Sequence, residues 1–312
     1  MLQLLLGGSG SGKTTLLYQR IRARAEKGEK SILLVPEQFT SSTEGRIYRE
    51  LGDALSGMVE SFSFTSLAEK ILSTEGGAAV QTLSDAGRAV LVRRALEELQ
   101  DNVHYYHRHR RSAAFCQMAA QTIDELKSAG LSGQQLAQLA GACGAESGKL
   151  SELALIFQGY ETLLARSGMD PSDRLELAGA RLEEALARHS LPEFLRDRAV
   201  FIDEFDTFNA PKKRLLGAML AVLPSVTVAL CDDGAPLLPG DLSLFSGAKQ
   251  VAAQLRQLAR KNGAEVAVPQ LLRKDLRHRN APGLAAVAEL LETGSCTADA
   301  PAGEVRLFAA PS

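Results

Sequence analysis

The stretch GGSGSGKT near the start of the chain constrains the fold more than any other feature of this sequence. Gly7, Gly12, Lys13 and Thr14 satisfy the spacing G-x-x-x-x-G-K-[ST] of a phosphate-binding loop. A short apolar run precedes the loop and a helical pattern follows it, which is the strand–loop–helix context that the motif requires. Because the N–H groups of such a loop and the helix N-terminus favour phosphate, the sequence predicts a nucleotide site here.

Each residue type in the loop has a physical role in this prediction. We expect the Lys13 ammonium to reach the β- and γ-phosphates and the Thr14 hydroxyl to bind Mg²⁺, so ATP and Mg²⁺ are the expected cofactors. The glycines allow the tight turn of the backbone. The predicted nucleotide-binding residues are Gly8, Gly10, Ser11, Gly12, Lys13, Thr14 and Thr15.

A second motif, which is acidic, is of the kind that accompanies a phosphate-binding loop. An apolar run ends at Ile202 and is followed directly by Asp203 and Glu204. This pattern predicts a strand that delivers an acidic pair to the edge of a sheet where the phosphate loop also lies. We expect Asp203 to hold Mg²⁺ and Glu204 to orient or deprotonate a water molecule, so Lys13, Asp203 and Glu204 are the predicted catalytic residues.

The order of apolar patterns predicts the architecture. Strands at 31–35 and 58–61 flank a helix at 41–55, which indicates a parallel sheet. From 82 to 195 every apolar pattern has helical spacing, and strand patterns return in RAVFIDEFD and SVTVALCDD. We therefore expect an α/β fold of the P-loop NTPase (RecA-like) class, with helices on both faces of a parallel sheet. Residues 1–81 and 196–312 would form the discontinuous sheet domain, and residues 82–195 an all-helical insertion.

Composition excludes several classes of protein. A net charge of −2 and a pI near 6.3 exclude a globally basic nucleic-acid binder but not a local basic groove. No apolar stretch is long enough to span a bilayer, and the first strand leads straight into the glycine loop rather than to a cleavage site, so we expect no membrane association. The four cysteines are far apart and form no C-x-x-C pair, so we interpret them as buried small hydrophobes of a reduced, cytoplasmic protein.

Five segments together carry a resemblance to a known family. In chain order they are GGSGSGKT, ILLVPEQFT, VESFSFTSLAEKIL, FIDEFDTFNAPKKRLL and VTVALCDD. This set is similar to the front half of a superfamily 1 helicase of the UvrD/Rep type. The strand followed by VPEQFT resembles, more specifically, the N-terminal region of the AddB (RexB-like) subunits of bacterial AddAB helicase–nucleases. The resemblance implies a role in DNA double-strand-break repair, with DNA and an AddA-type subunit as partners.

The same resemblance implies a DNA-facing set of residues at two loops. Phe39 and Phe64 are candidates for stacking on an unpaired base, and Thr40 and Ser63 for hydrogen bonds to a phosphate. Ordinary packing at strand ends explains these residues equally well. The predicted DNA-binding residues are Pro36, Gln38, Phe39, Thr40, Ser63 and Phe64, with Glu37 in the same loop.

The sequence also departs from the helicase pattern. Only six residues precede Gly7, which leaves no glutamine segment to read adenine, and LCDDGAPL has no glutamine to sense the γ-phosphate. LLRKDLRHRNAPGLAAVAELL is similar to the region that precedes the second motor domain in the family, and the resemblance implies that the phosphate-stabilising arginines come from that domain, beyond Ser312. Such an arginine contributes on the order of 10³ to 10⁵ in rate, so we expect little or no ATPase activity from this chain alone. The family's nuclease domain and iron–sulfur cluster are not expected in these residues.

Other hypotheses stay open on the sequence alone. The chain could be a stand-alone P-loop kinase of a small molecule, with the helices as a lid, or a scaffold that holds DNA or a partner without nucleotide.

Three further segments have their own interpretations. LSGQQ at 131–135 imitates a transporter ATPase signature, but we interpret Ser132 as a helix cap. HYYHRHRR at 104–111 could contact a DNA backbone or form a solvated face between helices. GSCTADAPAG reads as a linker and EVRLFAA as the start of a strand, so we expect the natural chain to continue beyond Ser312.

Overall fold

The computed structural model of the protein describes residues 1–79, 81–144, 147–295 and 305–306. The chain forms two compact units. Unit 1 comprises Met1–Phe64, Glu193–Phe208 and Met219–Ser312, and unit 2 comprises Thr65–Pro192 and Asn209–Ala218. The predicted strand start in EVRLFAA and most of the predicted linker before it lie outside the described residues. The division into a sheet domain and a helical insertion stays a prediction.

Unit 1 is built on a six-stranded sheet in which every neighbouring pair is parallel. The strands are β1 (Leu2–Gly7), β2 (Ser31–Leu34), β3 (Val59–Phe62), β4 (Ala199–Ile202), β5 (Val226–Cys231) and β6 (Gln270–Leu272), in the spatial order β3-β2-β4-β5-β1-β6. The inner strands β2 and β4 are buried at every position, as expected for a parallel sheet covered on both faces. The predicted α/β class with a parallel sheet is confirmed.

The described residues also form α-helices. They are α1 (Lys13–Ala25), α2 (Thr40–Leu51), α3 (Asp53–Ser56), α4 (Phe64–Glu75), α5 (Asp85–Glu98), α6 (Ala113–Ser128), α7 (Gly133–Ala140), α8 (Ser147–Ser167), α9 (Asp173–Ala187), α10 (Ala210–Val222), α11 (Ser246–Lys261) and α12 (Pro282–Thr293). The helix predicted at 41–55 is instead two helices, because Gly52 adopts a φ of 75° and ends α2. A short 3₁₀ turn at Glu37–Phe39 precedes α2.

One face of the sheet packs against α1. Leu17, Tyr18 and Ile21 are buried in one cluster with Leu33 and Phe201 of the sheet. Their spacing places them on one side of α1, so the helix buries a single apolar face. Each fully buried aliphatic side chain contributes about 1.5–3 kcal/mol relative to an exposed one, which fixes α1 directly after the glycine loop.

Strand β6 is not among the strands predicted from the sequence, and its three residues pair in parallel with the end of β1. The guanidinium of Arg20 joins the two strands: it donates to Oε1 of Gln3 (2.7 Å) and to Oε1 of Gln270 (2.5 Å). Arg20 and Gln270 are 250 residues apart in the chain. This strand therefore depends on a long-range contact that local patterns do not reveal.

Unit 2 contains helices with a separate apolar core. Buried residues of α5, α6, α7 and α8 form one cluster that includes Leu96, Ile123, Leu136 and Phe157. The Ser132 hydroxyl accepts from the backbone N–H of Gln135 (3.3 Å), and the Gln135 side chain accepts from Ser132 N–H in return. The predicted helix cap at LSGQQ is thus confirmed.

A buried ionic network crosses the helices of unit 2. Asp170 is fully buried and accepts from the Lys127 ammonium (2.6 Å) and from the Tyr160 hydroxyl. The guanidinium of Arg88 lies 3.4 Å from the same carboxylate. Since these partners come from α5, α6 and α8, one buried carboxylate holds three helices in register.

Candidate functional site

The carboxyl ends of the central strands meet at one edge of the sheet in unit 1. Gly7 pairs with Cys231 on one side and with Leu272 on the other, while Leu34 pairs with Ile202. The loop after β1 and the acidic pair after β4 therefore emerge at the same edge, with β5 between their strands. In open parallel sheets this edge is where ligands bind.

The glycine loop, residues 7–12, has unused hydrogen-bonding groups. Gly10 and Gly12 adopt φ values of 79° and 89°, which residues with a side chain rarely reach. Within the described part of the chain, the backbone N–H groups of these two glycines have no acceptor. The Ser11 hydroxyl is buried and has no hydrogen-bond partner either. Buried polar groups are normally paired, so this loop fits an anionic ligand such as a phosphate.

The side chain of Lys13 folds back onto the glycine loop. Its ammonium donates to the carbonyl oxygens of Gly7 (2.7 Å) and Gly8 (2.8 Å). It also lies 3.5 Å from Sγ of Cys231. The ammonium is therefore held against the loop by two neutral carbonyl oxygens. A negatively charged phosphate oxygen would attract it more strongly than they do.

A cavity of about 450 Å³ brings the predicted groups together. We call it the loop cavity. Of the predicted nucleotide-binding and catalytic residues, it is lined by Gly10, Ser11, Gly12, Lys13, Thr14, Thr15, Asp203 and Glu204. Gly8 instead lines a neighbouring cavity of about 490 Å³. One continuous cavity thus holds a cationic loop and the acidic pair.

The carboxyl groups of the acidic pair, Asp203 and Glu204, both have raised pKa values. Asp203 is only 6% exposed, and its Oδ1 accepts from the backbone N–H of Glu204 (3.0 Å). Burial raises the pKa of the Asp203 carboxyl, although a hydrogen bond from Thr14 opposes the shift. Burial, followed by the charge of Asp203, also raises the pKa of Glu204. The two adjacent carboxyl groups lie where they could hold a cation between themselves and a phosphate, and a bound cation would favour their charged form.

The described residues contain no group of three or more His, Cys, Asp or Glu side chains that could hold a metal ion. Thr14 and Asp203 alone supply two oxygen ligands at most. Magnesium commonly takes one or two protein ligands and completes its octahedron with waters and substrate phosphates. The donor set therefore fits Mg²⁺ that arrives with a nucleotide.

Sequence reasoning missed two arginines that line the loop cavity, Arg46 and Arg277. The guanidinium of Arg46, on α2, lies 4.9 Å from the centre of the Tyr18 ring. Arg277 donates from Nη1 to the Ser9 hydroxyl (3.0 Å). The resemblance had pointed to arginines from beyond Ser312 instead. Arg277 belongs to the segment LLRKDLRHRN, whose basic character is visible in the sequence, whereas no local signal marks Arg46.

A covering segment, residues 273–278, lies against the glycine loop. The backbone N–H of Leu276 donates to the Gly10 carbonyl (3.0 Å). A β-carbon at Gly10 would lie 2.6 Å from that of Arg277, and one at Gly12 would lie 2.9 Å from Cδ1 of Leu276. The loop glycines are therefore required by this close approach as well as by their backbone angles.

The LCDD segment has a more structural role than expected. Cys231 lines the loop cavity, whereas Asp232 and Asp233 line the neighbouring one. Asp232 is buried and accepts from the N–H of Gly234 (2.7 Å), and Asp233 forms an ion pair with Lys249 (3.2 Å). These carboxylates shape the turn after β5.

The interpretation of the cysteines as buried hydrophobes is correct only for Cys116. Cys143 and Cys231 are exposed, and all three thiols are free. Cys231 is exposed because it is the last residue of β5, where the strand leaves the core for the loop cavity. Cys296 lies outside the described residues.

The DNA-binding candidates at 36–40 include an exposed aromatic ring, that of Phe39. Phe39 is 39% exposed and lines a cavity of about 220 Å³ together with Thr14 and Asp203. Gln38 is exposed, and Pro36 is half-buried at the start of the 3₁₀ turn. The hydroxyl of Thr40 donates to the carbonyl of Glu37 (2.8 Å). Phe39 and Gln38 are thus accessible, and the loop lies beside the loop cavity.

The second pair of candidates is buried. Ser63 and Phe64 are 4% and 3% exposed. The Phe64 ring packs edge-to-face against Phe205 (5.2 Å) and Phe208 (6.1 Å). Aromatic packing of this kind is a typical core contact, so the ring of Phe64 is not offered for stacking on a base in this structure.

No helix among the described residues is long and apolar enough to cross a bilayer.

Comparison with known proteins identifies similar chains. Residues 4–288 match the protein family described as "ADDB, N-terminal". The ATP-dependent helicase/deoxyribonuclease B subunit of Desulforudis audaxviator is 34% identical over 296 residues, covering 91% of this chain and 25% of that protein. The B subunits of the same description from Moorella thermoacetica and Anoxybacillus flavithermus are 33% and 31% identical, covering 91% and 89% of this chain. The chain spans about a quarter of the length of these curated relatives.

Proposed function

This chain belongs to the ADDB N-terminal family, and from that membership we propose that it is the ATP-binding, helicase-like part of a larger protein that repairs broken DNA together with an AddA-type helicase–nuclease partner. The relatives are described as B subunits of an ATP-dependent helicase/deoxyribonuclease. A cytoplasmic location belongs to the same proposal. The loop cavity, where the glycine loop meets Asp203 and Glu204, is the single observation that carries it.

The proposed nucleotide site uses the residues that line this cavity. Lys13 would exchange its bonds to the carbonyls of Gly7 and Gly8 for the β- and γ-phosphates, and the loop N–H groups would surround phosphate oxygens. Thr14 and Asp203 would bind Mg²⁺, and Glu204 would orient a water molecule. Bound Mg²⁺ would neutralise phosphate charge. One strand, β5, lies between β1 and β4, which favours the RecA-like P-loop arrangement.

We propose binding with little or no turnover by this chain alone. No glutamine follows β5 at the position where helicases sense the γ-phosphate. The two arginines of the cavity are engaged with the chain's own groups: Arg277 with the Ser9 hydroxyl and Arg46 with the Tyr18 ring. Because a free, correctly placed arginine contributes on the order of 10³ to 10⁵ in rate, a chain without one should hydrolyse ATP very slowly.

The proposed DNA contact in unit 1 rests on the loop at 36–40. Phe39 and Gln38 are exposed there, beside the loop cavity. An exposed ring can stack on an unpaired base, and its position beside Thr14 would link DNA contact to the nucleotide site. Phe64 has no part in this proposal because it is buried.

Equilibrium binding of labelled ATP with Mg²⁺ tests the proposal, with the Lys13→Ala variant compared with wild type. Lys27→Ala is the matched control, because Lys27 is an exposed lysine just beyond the other end of α1. Binding that is lost in Lys13→Ala and kept in Lys27→Ala, with turnover near background, supports the proposal. No saturable binding by the wild-type chain would favour the nucleotide-independent scaffold. Rapid turnover without DNA would favour a small-molecule kinase.

A further inference from the structure

An aromatic pocket lies in unit 2, in the segment HYYHRHRR and the start of α6. Its volume is about 330 Å³, and its lining residues are Tyr105, Tyr106, His109, Ala114, Phe115 and Met118. The ring of Phe115 stacks on that of Tyr106, with centroids 5.4 Å apart, and lies 5.6 Å from that of His109. Tyr105 and Met118 are 55% and 56% exposed. The pocket is thus a solvent-facing set of ring surfaces.

The aromatic loop is fixed by one carboxylate. Glu152, on α8, accepts from the backbone N–H groups of His104 (2.9 Å), Tyr105 (2.8 Å) and Tyr106 (3.1 Å). Burial opposes ionisation of Glu152, but these hydrogen bonds outweigh it and lower the pKa of the carboxyl. Because the backbone is held before any ligand arrives, little conformational entropy is lost on binding.

Basic residues occur in the same segment as the pocket and beside one of its rings. Arg108 and Arg111 are exposed, and within the described ranges neither guanidinium has an ion-pair partner. The Lys149 ammonium lies 5.2 Å from the centre of the Tyr105 ring. Glu152, the nearby acid, is already used by the three backbone donors. The segment is therefore basic as well as aromatic, which suits a ligand with flat rings and negative charge.

We propose that this pocket binds single-stranded DNA by stacking an unpaired base on its aromatic rings while Arg108 and Arg111 contact the adjoining phosphates. Aromatic faces accept any base, and basic side chains beside them follow the backbone. The volume lies at the lower end of the range for small-ligand pockets, about 300 Å³ and above, as a single base requires. The inference rests on the proposed function in taking DNA as the polymer, but it adds a contact that the loop at 36–40 does not provide.

Fluorescence anisotropy separates stacking from charge contacts. The probes are a short labelled oligothymidylate and an abasic sugar–phosphate strand of the same length, titrated with the whole 312-residue chain. Tyr105→Ala should weaken oligothymidylate binding by about 5- to 150-fold and leave the abasic strand unchanged. Tyr105→Phe keeps the ring and should bind as wild type. Tyr48→Ala is the matched control, because Tyr48 in unit 1 is also 55% exposed.

The charge contacts have their own readout. A double variant with Arg108→Gln and Arg111→Gln should weaken binding of both strands and reduce the slope of log K against log salt concentration by about 0.7 per arginine, the value for single strands. Arg93→Gln is the control, because Arg93 is already paired with Glu97 (3.1 Å). Equal losses in the variants and their controls would overturn the proposal. A Tyr105→Ala variant whose binding to the abasic strand weakens as much as its binding to oligothymidylate would also overturn it.

The outcome is distinguishable from failure of the proposed function. A chain that binds ATP through Lys13 but shows no effect of Tyr105→Ala on DNA binding would overturn this inference alone. Tyr105→Ala chains that bind an apolar peptide less tightly and DNA unchanged would assign the pocket to a protein partner, which also overturns it. A Tyr105 effect on DNA in a chain that binds no nucleotide would keep this inference and overturn the nucleotide proposal.

Discussion

Replacing Asp203 by asparagine is expected to stabilise the nucleotide-free chain, although it removes a residue proposed to bind Mg²⁺. The carboxylate is almost fully buried beside a second carboxylate, Glu204. The charges of Lys13 and Arg46 lower the pKa of Asp203, but burial has the larger effect and raises it. Binding sites commonly store such instability, because the ligand needs the charge that the fold resists.

The sign of the pH dependence follows from this raised pKa. The folded state binds the proton of Asp203 more tightly than the unfolded state, so the free energy of unfolding falls as pH rises through the two pKa values. Each unit of difference between them costs about 1.4 kcal/mol at pH above both. Asparagine keeps one oxygen that can accept from the N–H of Glu204 and removes the buried charge, so its expected gain at about pH 8 is roughly 0.5–2 kcal/mol. The gain should shrink toward zero as pH approaches the ordinary carboxyl value of about 3.9.

Urea unfolding, followed by far-ultraviolet circular dichroism at several pH values, measures this difference without ligand. Asp206→Asn is the matched control, because Asp206 is an exposed aspartate in the same loop. A second arm adds Mg²⁺ and ATP. Wild type should gain about 2.7 kcal/mol when the ligand is at 100 times its Kd, and Asp203→Asn should lose most of that gain.

Two results would refute the reasoning. An Asp203→Asn chain that is less stable than wild type at pH 8 would show that the carboxylate is a structural partner of Thr14 and the Glu204 N–H. An equal gain in Asp206→Asn would show that the effect comes from general negative charge in the loop and not from burial of Asp203.

Three further predictions concern other parts of the chain. Asp170→Ala should lower the free energy of unfolding by about 3 kcal/mol, the lower end for a broken buried ion pair, because Lys127 and Arg88 lose their shared buried carboxylate and keep only more exposed acidic partners such as Asp173 and Asp124; urea titration measures it. Gly12→Ala should cost about 1–2 kcal/mol, because φ is 89° and the new methyl meets Leu276 at 2.9 Å; thermal unfolding with and without ATP measures it. Glu152→Gln should cost about 0.5–1 kcal/mol at neutral pH, measured by the same unfolding series. Because folding lowers the pKa of Glu152, this cost should disappear as pH falls below the usual glutamate value of about 4.3.

The features that the sequence predicts best are those that depend on the spacing of residues close together in the chain. The glycine loop and the acidic pair are short motifs that follow buried strands, and parallel pairing brings their ends to one edge. Lys13, Thr14 and Asp203 were therefore placed together from the sequence alone. The Ser132 cap is equally local, since a side chain three residues away completes it.

Long-range packing explains what the sequence did not predict. Phe64 occurs in a motif that looks DNA-facing, but its neighbours Phe205 and Phe208 come from a segment about 140 residues later and bury it. The strand β6 has only three residues and depends on Arg20 and β1 for its partners. Such contacts have no periodicity that can be read along the chain.

In the proposed function, the charges around the loop cavity are the reason why nucleotide and Mg²⁺ should bind together. Three basic residues, Lys13, Arg46 and Arg277, and three acidic residues, Asp203, Glu204 and Asp206, line the same cavity. A nucleotide alone would meet the basic side chains and be repelled by the acids, whereas Mg²⁺ alone would meet the acids and be repelled by the basic side chains. Only the complex satisfies both sets, and thermodynamic linkage then requires each component to raise the affinity for the other by the same factor. Burial raises the pKa values of Asp203 and Glu204, so a cation bound between them would favour the charged carboxylates that the fold alone disfavours.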